Sequence, residues 1–145
     1  MQQYSNHIRY YPLHHFVITP LSLIFLSWSF YNLAEAYADK ADLGHYIYFL
    51  IGALLVFLIP VTTRIYALKN QNRTIRLEMR VRYFQLTGKS LLDWEKKLTL
   101  SQLIALRFAG DRELVPLMEK AVAQNIKPKL LKKAIKDWQG DYLRV

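Results

Sequence analysis

Hydrophobic positions gather in two runs instead of spreading with a helical or strand period. No Asp, Glu, Lys or Arg stands between Arg9 and Glu35, and Phe16 to Ala34 is 19 residues rich in Leu, Ile, Phe, Trp and Ser. The second run, Leu43 to Thr63, is 21 residues without a formal charge and holds a denser block from Ile47 to Ile59. A helix rises about 1.5 Å per residue, so roughly 20 apolar residues cross the ~30 Å of bilayer hydrocarbon. The pattern predicts transmembrane helices at 16–36 and 43–63, joined by an external loop at 37–42 whose shortness forces an antiparallel hairpin. Thr19-Pro20 reads as an N-cap followed by proline at the first helical position, and Pro60 removes a backbone donor near the end of the second span.

Beyond Thr63 no turn signal occurs until Gly88, which predicts that the second helix continues outward as a basic juxtamembrane helix over 64–87. Ile65, Leu68, Ile75, Met79, Tyr83 and Leu86 form its apolar stripe, with Asn72 as a polar member. The alternation of Ile75, Leu77, Met79, Val81 and Tyr83 with charged residues also fits a strand, but Arg, Leu, Glu and Met favour helix. Residues 88–145 read as a small cytoplasmic helical domain. Gly88 suits a helix end, Ser90 with Asp93 a capping box, and Thr99 with Gln102 a second one. Asp111 is expected to cap a helix to about Gln124, ended by Asn125. A last helix opens at Lys127-Pro128 and runs to about Trp138, with Leu130, Leu131, Ala134, Ile135 and Trp138 inward and Lys129, Lys132, Lys133 and Lys136 outward. A segment this short makes a marginal core alone, so docking on the long helix's apolar stripe is expected. The fold class is thus an all-α membrane protein: a two-helix hairpin, an extended second helix and a small helical domain.

Charge orients this arrangement. The chain has 20 Lys and Arg against 11 Asp and Glu, a net +9. Arg64, Lys69, Arg73, Arg76, Arg80, Arg82, Lys89, Lys96 and Lys97 follow the second run, whereas the connecting loop has only Lys40. Loops rich in Lys and Arg stay cytoplasmic, so both termini, including the interfacial segment 1–15, are expected inside. Reading the first run as a secretory signal with a small-residue cleavage site at Ala34-Glu35-Ala36 or Ala36-Tyr37-Ala38 competes with this, but the run exceeds the usual length of such an apolar region. The 52% hydrophobic content excludes disorder, and the absence of cysteine excludes disulfide, thiolate-zinc, iron–sulfur and cysteine-nucleophile chemistry.

Candidate chemistry is sparse. Gly88-Lys89-Ser90 imitates the tail of a phosphate-binding loop, but Tyr83 stands where that loop needs glycine, and a helix precedes it. His7, His14 and His15 lie at one end of the hairpin and His45 at the other, and adjacent histidines point apart, so no metal site is expected. No carboxylate pair, Ser/His/Asp set or dinucleotide fingerprint can be assembled, which leaves no enzyme activity, catalytic residue or cofactor to predict. What remains is a basic ladder, Lys69, Arg73, Arg76 and Arg80, at intervals of four, three and four. It is a candidate contact for anionic lipid, each cation contributing on the order of 1 kcal/mol, and less so for nucleic acid, since no binding module accompanies it. The bland alternative is topology fixation with internal pairing to Glu78, Asp111, Glu113 and Glu119. Within the spans, Ser22, Ser29 and Asn32 share one side of the first helix and are expected to meet Gly52 of the second as inter-helix polar contacts.

The chain resembles an uncharacterised domain-of-unknown-function family of small bacterial two-span membrane proteins. The resemblance rests on the stretch Asn6-His7-Ile8-Arg9-Tyr10-Tyr11-Pro12-Leu13-His14-His15-Phe16, on Arg64-Ile65-Tyr66-Ala67-Leu68 with Gln71-Asn72-Arg73, and on Ile75-Arg76-Leu77-Glu78-Met79-Arg80. It also rests on Gln102-Leu103-Ile104-Ala105-Leu106-Arg107-Phe108-Ala109 and on Trp138 with Asp141-Tyr142-Leu143-Arg144-Val145. The chain departs from that pattern at Asn72, Gly110 and Gly140, where the family favours aspartate, serine and proline. The resemblance implies a bacterial inner-membrane protein with a cytoplasmic helical region, and it transfers no activity. Three roles follow as expectations: a non-enzymatic interaction or assembly protein with a protein partner or a second copy of itself; an anionic-lipid or nucleic-acid contact module using the ladder; or a small subunit of an oligomeric transporter or membrane enzyme.

Overall fold

The computed structural model describes Tyr4 and residues 10–141. His7 and the terminal Tyr142-Leu143-Arg144-Val145 lie outside the described residues. Helices dominate: α1 Thr19–Ala38, α2 Gly44–Thr87, α3 Leu92–Glu95, α4 Leu100–Leu106, α5 Asp111–Ala123 and α6 Pro128–Ala134, with a π-helical stretch Leu13–Ile18 leading into α1. Among the described residues there is no strand, only an isolated antiparallel bridge between Ala109 and Trp138. The chain divides into two compact units, Arg9–Leu68 and a second formed by Met1–Ile8 with Lys69–Val145.

In the Arg9–Leu68 unit the first helix does not start at Thr19. Thr19 is no cap: its backbone N–H and its hydroxyl both reach back to the His14 carbonyl, the hydroxyl at 2.8 Å, and the helix passes through it from Leu13. Proline at position 20 lacks a donor, and in α geometry its ring collides with the carbonyl four residues earlier; the wider π turns before it accommodate both defects. The turn after α1 is tight. Ala41 N donates to Ala36 O at 2.9 Å, Lys40 takes φ 55°, and Asp42 accepts from Gly44 N at 3.0 Å to start α2. One cleft is lined by Ser29 and Asn32 of α1 with His45 and Phe49 of α2, and another by Phe25 with Gly52 and Val56. Later positions of one helix thus face earlier positions of the other, as an antiparallel pair requires.

The second unit is built on the far half of α2, and the helical alternative for this stretch is the one adopted. Ile75, Met79 and Tyr83 are buried in a core with Leu91, Leu98, Leu103, Leu106, Leu114, Met118 and Leu131. The apolar stripe is shorter than its sequence pattern, because Ile65, Leu68 and Leu86 stay exposed. Gly88 ends α2 at φ 68°, donating to Phe84 O at 2.7 Å, a conformation open to glycine at no steric cost.

Caps fix the short helices, with three corrections. The Thr99–Gln102 box is complete, Gln102 N donating to Thr99 Oγ1 at 3.2 Å and Thr99 N to Gln102 Oε1 at 2.8 Å. The Ser90–Asp93 box does not form: Leu91 is the residue before α3, and Ser90 Oγ accepts from Leu92 N, at 3.3 Å, in a local turn. Asp111 is the first residue of α5 and not its cap; Gly110 occupies that place, and Glu113 accepts the Gly110 N–H at 3.3 Å. The last helix stops at Ala134, well before Trp138, because the extended backbone from Ile135 is held elsewhere. Glu113 accepts the N–H groups of Lys136 and Asp137, each at 3.1 Å, and Gln139 N donates to Phe108 O at 2.8 Å. Leu130 consequently faces out, while Lys132, expected outside, lies half-buried with its Nζ 5.4 Å from the Phe108 ring. Asn125 does end α5, at φ 45°.

Candidate functional site

The basic ladder is the candidate that sequence offers, and α2 carries all four of its members. Arg80 is committed to the protein itself. Its Nε and Nη2 donate to the two oxygens of Glu95 on α3 at 2.9 and 2.6 Å, a bidentate pair, and Glu95 is only 12% exposed. This hydrogen bonding raises the Arg80 pKa above its ordinary value. Arg76 lies at the margin of the same carboxylate, 4.0 Å away. Arg73 is exposed, and no ion pair reaches it among the described residues. Lys69 is also exposed and has an interaction of its own. The ladder is therefore a row in sequence whose last two members, Arg76 and Arg80, face Glu95 of α3.

Arg82, one position off the ladder's face, reaches three protein partners. It donates to Asp111 Oδ1 at 2.8 Å, to Arg107 O at 3.1 Å and to Ala109 O at 2.6 Å. These carbonyls lie just beyond the last turn of α4, where backbone acceptors lack helical partners and the helix dipole favours a cation. Sequence reading missed Glu95 as the partner and Arg82 as the clamp. The available signal was that both flank apolar positions at the core: Arg82 precedes the buried Tyr83, and Glu95 follows the partly buried Trp94, whose Nε1 donates to the Tyr83 hydroxyl at 2.8 Å. Arg107 forms a further ion pair with Asp141 at 3.0 Å and lies over the Phe108 ring at 4.6 Å. Phe108 stacks on Trp138 with centroids 4.7 Å apart.

The inter-helix set behaves differently from expectation. Ser22 and Ser29 are buried, yet their hydroxyls bond their own helix, Ser22 to Thr19 O and Ser29 to Phe25 O, each at 2.9 Å. A serine in a helix has a free carbonyl within reach one turn back, which satisfies the hydroxyl and leaves a small side chain for packing. Ala36, one heptad beyond Ser29, continues the same buried line. Asn32 lines the cleft near His45. Gly52 is half-buried and a Cβ there would meet nothing within 4 Å; the fully buried neighbour is Ala53.

His14 and His15, expected to point apart, instead touch. His14 and His15 rings meet edge to face at 5.1 Å, His15 Nδ1 lies 3.0 Å from Tyr11 O, and His45 packs on Phe49 at 4.7 Å. Among the described residues no three His, Cys, Asp or Glu side chains are grouped to hold a metal ion.

The model of the family of unknown function DUF6526 matches residues 1–145, the entire chain. The protein belongs to that family. DUF6526 carries no stated activity, so membership agrees with the resemblance to a domain-of-unknown-function family and adds no catalytic residue. No curated protein and no solved structure matches this DUF6526 chain. Two of its helical segments, Leu13–Ala38 and Gly44–Thr87, are long and apolar enough to cross a membrane.

Proposed function

We propose that this DUF6526 protein is a non-enzymatic bacterial inner-membrane protein, anchored by a helical hairpin, whose helical unit at the cytoplasmic face binds or assembles with protein. The observation that carries the reading is the bareness of its apolar helices. Only 11% and 6% of their most apolar windows are buried by the rest of the chain, whereas the core helix of a water-soluble protein is mostly covered. In lipid such surface needs no protein cover.

Chain connectivity supports an even number of crossings. Tyr4 belongs to the same unit as Lys69–Val145, and the Lys133 Nζ lies 5.7 Å from its ring centroid. The apolar hairpin thus leaves from and returns to one unit, and the excess of Lys and Arg in that unit favours the cytoplasmic side. The anionic-lipid alternative draws less support, because Arg76 and Arg80 point to Glu95.

The chain has no cysteine, so single cysteines report cleanly. In intact cells a membrane-impermeant maleimide is expected to label Ala41→Cys in the hairpin turn and to spare Ser101→Cys on α4 until the cells are opened. Labelling of Ser101→Cys in intact cells, or release of the protein by alkaline carbonate, defeats the reading. Co-purification from native membranes then identifies the partner.

A further inference from the structure

The half of α2 that carries the buried Ile75, Met79 and Tyr83 has a second apolar line on its opposite side. At 100° per residue, Leu77, Val81 and Phe84 lie within a narrow stripe turned away from that core. They are 58%, 56% and 61% exposed, although their spacing of four and three residues is that of a coiled-coil seam. On this register Leu77 and Phe84 are d positions and Val81 an a position, which puts Arg73 at g and Glu78 at e. Both charged side chains are exposed, and among the described residues neither forms an ion pair within the chain.

We infer that a second copy of this chain covers the seam, as a parallel two-stranded coiled coil formed by the α2 segment around Leu77, Val81 and Phe84. In such a pair a g residue meets the e residue five positions later on the other strand. Arg73 of one copy then faces Glu78 of the other, and the two-fold axis makes the contact twice. A seam flanked by opposite charges at this offset complements itself only when the strands run the same way. Two copies inserted in one membrane leave it with the same chain direction, and confinement to the membrane raises their effective concentration, so a short seam suffices. The inference rests on the membrane reading given above for its chain direction.

Single cysteines test it in native membranes under mild oxidation. Leu77→Cys and Phe84→Cys are both expected to give disulfide-linked dimers, while the exposed Ser101→Cys stays monomeric. An antiparallel pair that matched the two Leu77 positions would hold the Phe84 positions about 21 Å apart, beyond disulfide reach. Arg73→Glu or Glu78→Arg in the Phe84→Cys background is expected to reduce the dimer about fivefold or more, and the double exchange to restore it. No dimer at positions 77 and 84, equal dimer at position 101, or indifference to the single charge reversals overturns the inference. Carbonate extraction of the same samples separates the two readings: released protein defeats the membrane anchor, whereas retained protein without crosslinks defeats the coiled coil alone.

Discussion

Glu95 receives both arms of the Arg80 guanidinium, at 2.9 and 2.6 Å, and so turns one rung of a basic ladder into a strut between α2 and α3. Glu95→Ala is expected to lower the thermal midpoint of the protein by several degrees, and Lys89→Ala, at an exposed position, to leave it unchanged, in circular dichroism melts of detergent-solubilised protein. Because Glu95 raises the Arg80 pKa, Arg80 stays charged through arginine's ordinary range, and its contribution is lost on the alkaline side as pH rises through the raised value. Deprotonation of Arg80 therefore produces no loss of this strut between neutral and moderately alkaline pH.

Phe108 is fully buried and lies flat against Trp138, their planes 15° apart. Phe108→Ala removes a large core side chain and is expected to cost about 3–5 kcal/mol, enough to unfold the α4–α6 region. A red shift in tryptophan emission and loss of near-ultraviolet dichroism measure it. An unshifted spectrum would show that the stack is not part of the core.

Gly110 has an ordinary φ of −64°, so its freedom from a side chain matters for space and not for backbone geometry. A Cβ there would meet Asp137 at 2.0 Å from Oδ2 and 2.9 Å from Cβ. Rotation of the carboxylate relieves the first clash but not the second. Gly110→Ala is expected to destabilise by about 1–3 kcal/mol, read by urea unfolding of the solubilised protein. Asp137→Gly in the same chain recovers part of the loss.

Ala53 has no exposed surface, whereas Gly52 has open space beside it. Ala53→Leu is expected to overpack the hairpin at a cost of about 1–3 kcal/mol, and Gly52→Ala to be neutral. Thermal aggregation of the purified protein in detergent distinguishes them, the leucine variant aggregating at lower temperature.

Periodicity and caps made much of this legible. The long second helix, the Thr99–Gln102 box, the Gly88 terminus and the buried Ile75, Met79 and Tyr83 follow from residues near one another in sequence. The Arg80–Glu95 and Arg82–Asp111 pairs join positions 15 and 29 apart, and no local pattern selects Glu95 over Glu78 or Glu113 as an acceptor. The last segment misled for the same reason. Leu131, Ala134, Ile135 and Trp138 keep a helical spacing, but three distant acceptors, Glu113 Oε1, Glu113 Oε2 and Phe108 O, take the backbone N–H groups of Asp137, Lys136 and Gln139 and favour an extended path. The serines illustrate a chemical limit: small size was readable, but the choice between a neighbouring helix and the residue's own backbone was decided by proximity.

The dependence of Phe108 on Trp138 and Gln139 has a consequence for biosynthesis. In a nascent chain both apolar helices are made before residues 135–139, whose backbone is held by Glu113 and Phe108. Throughout that interval the α4–α5 corner lacks its lid, and its aromatic face is open to chaperones and proteases. Completion of that corner therefore waits on the arrival of Trp138 and Gln139.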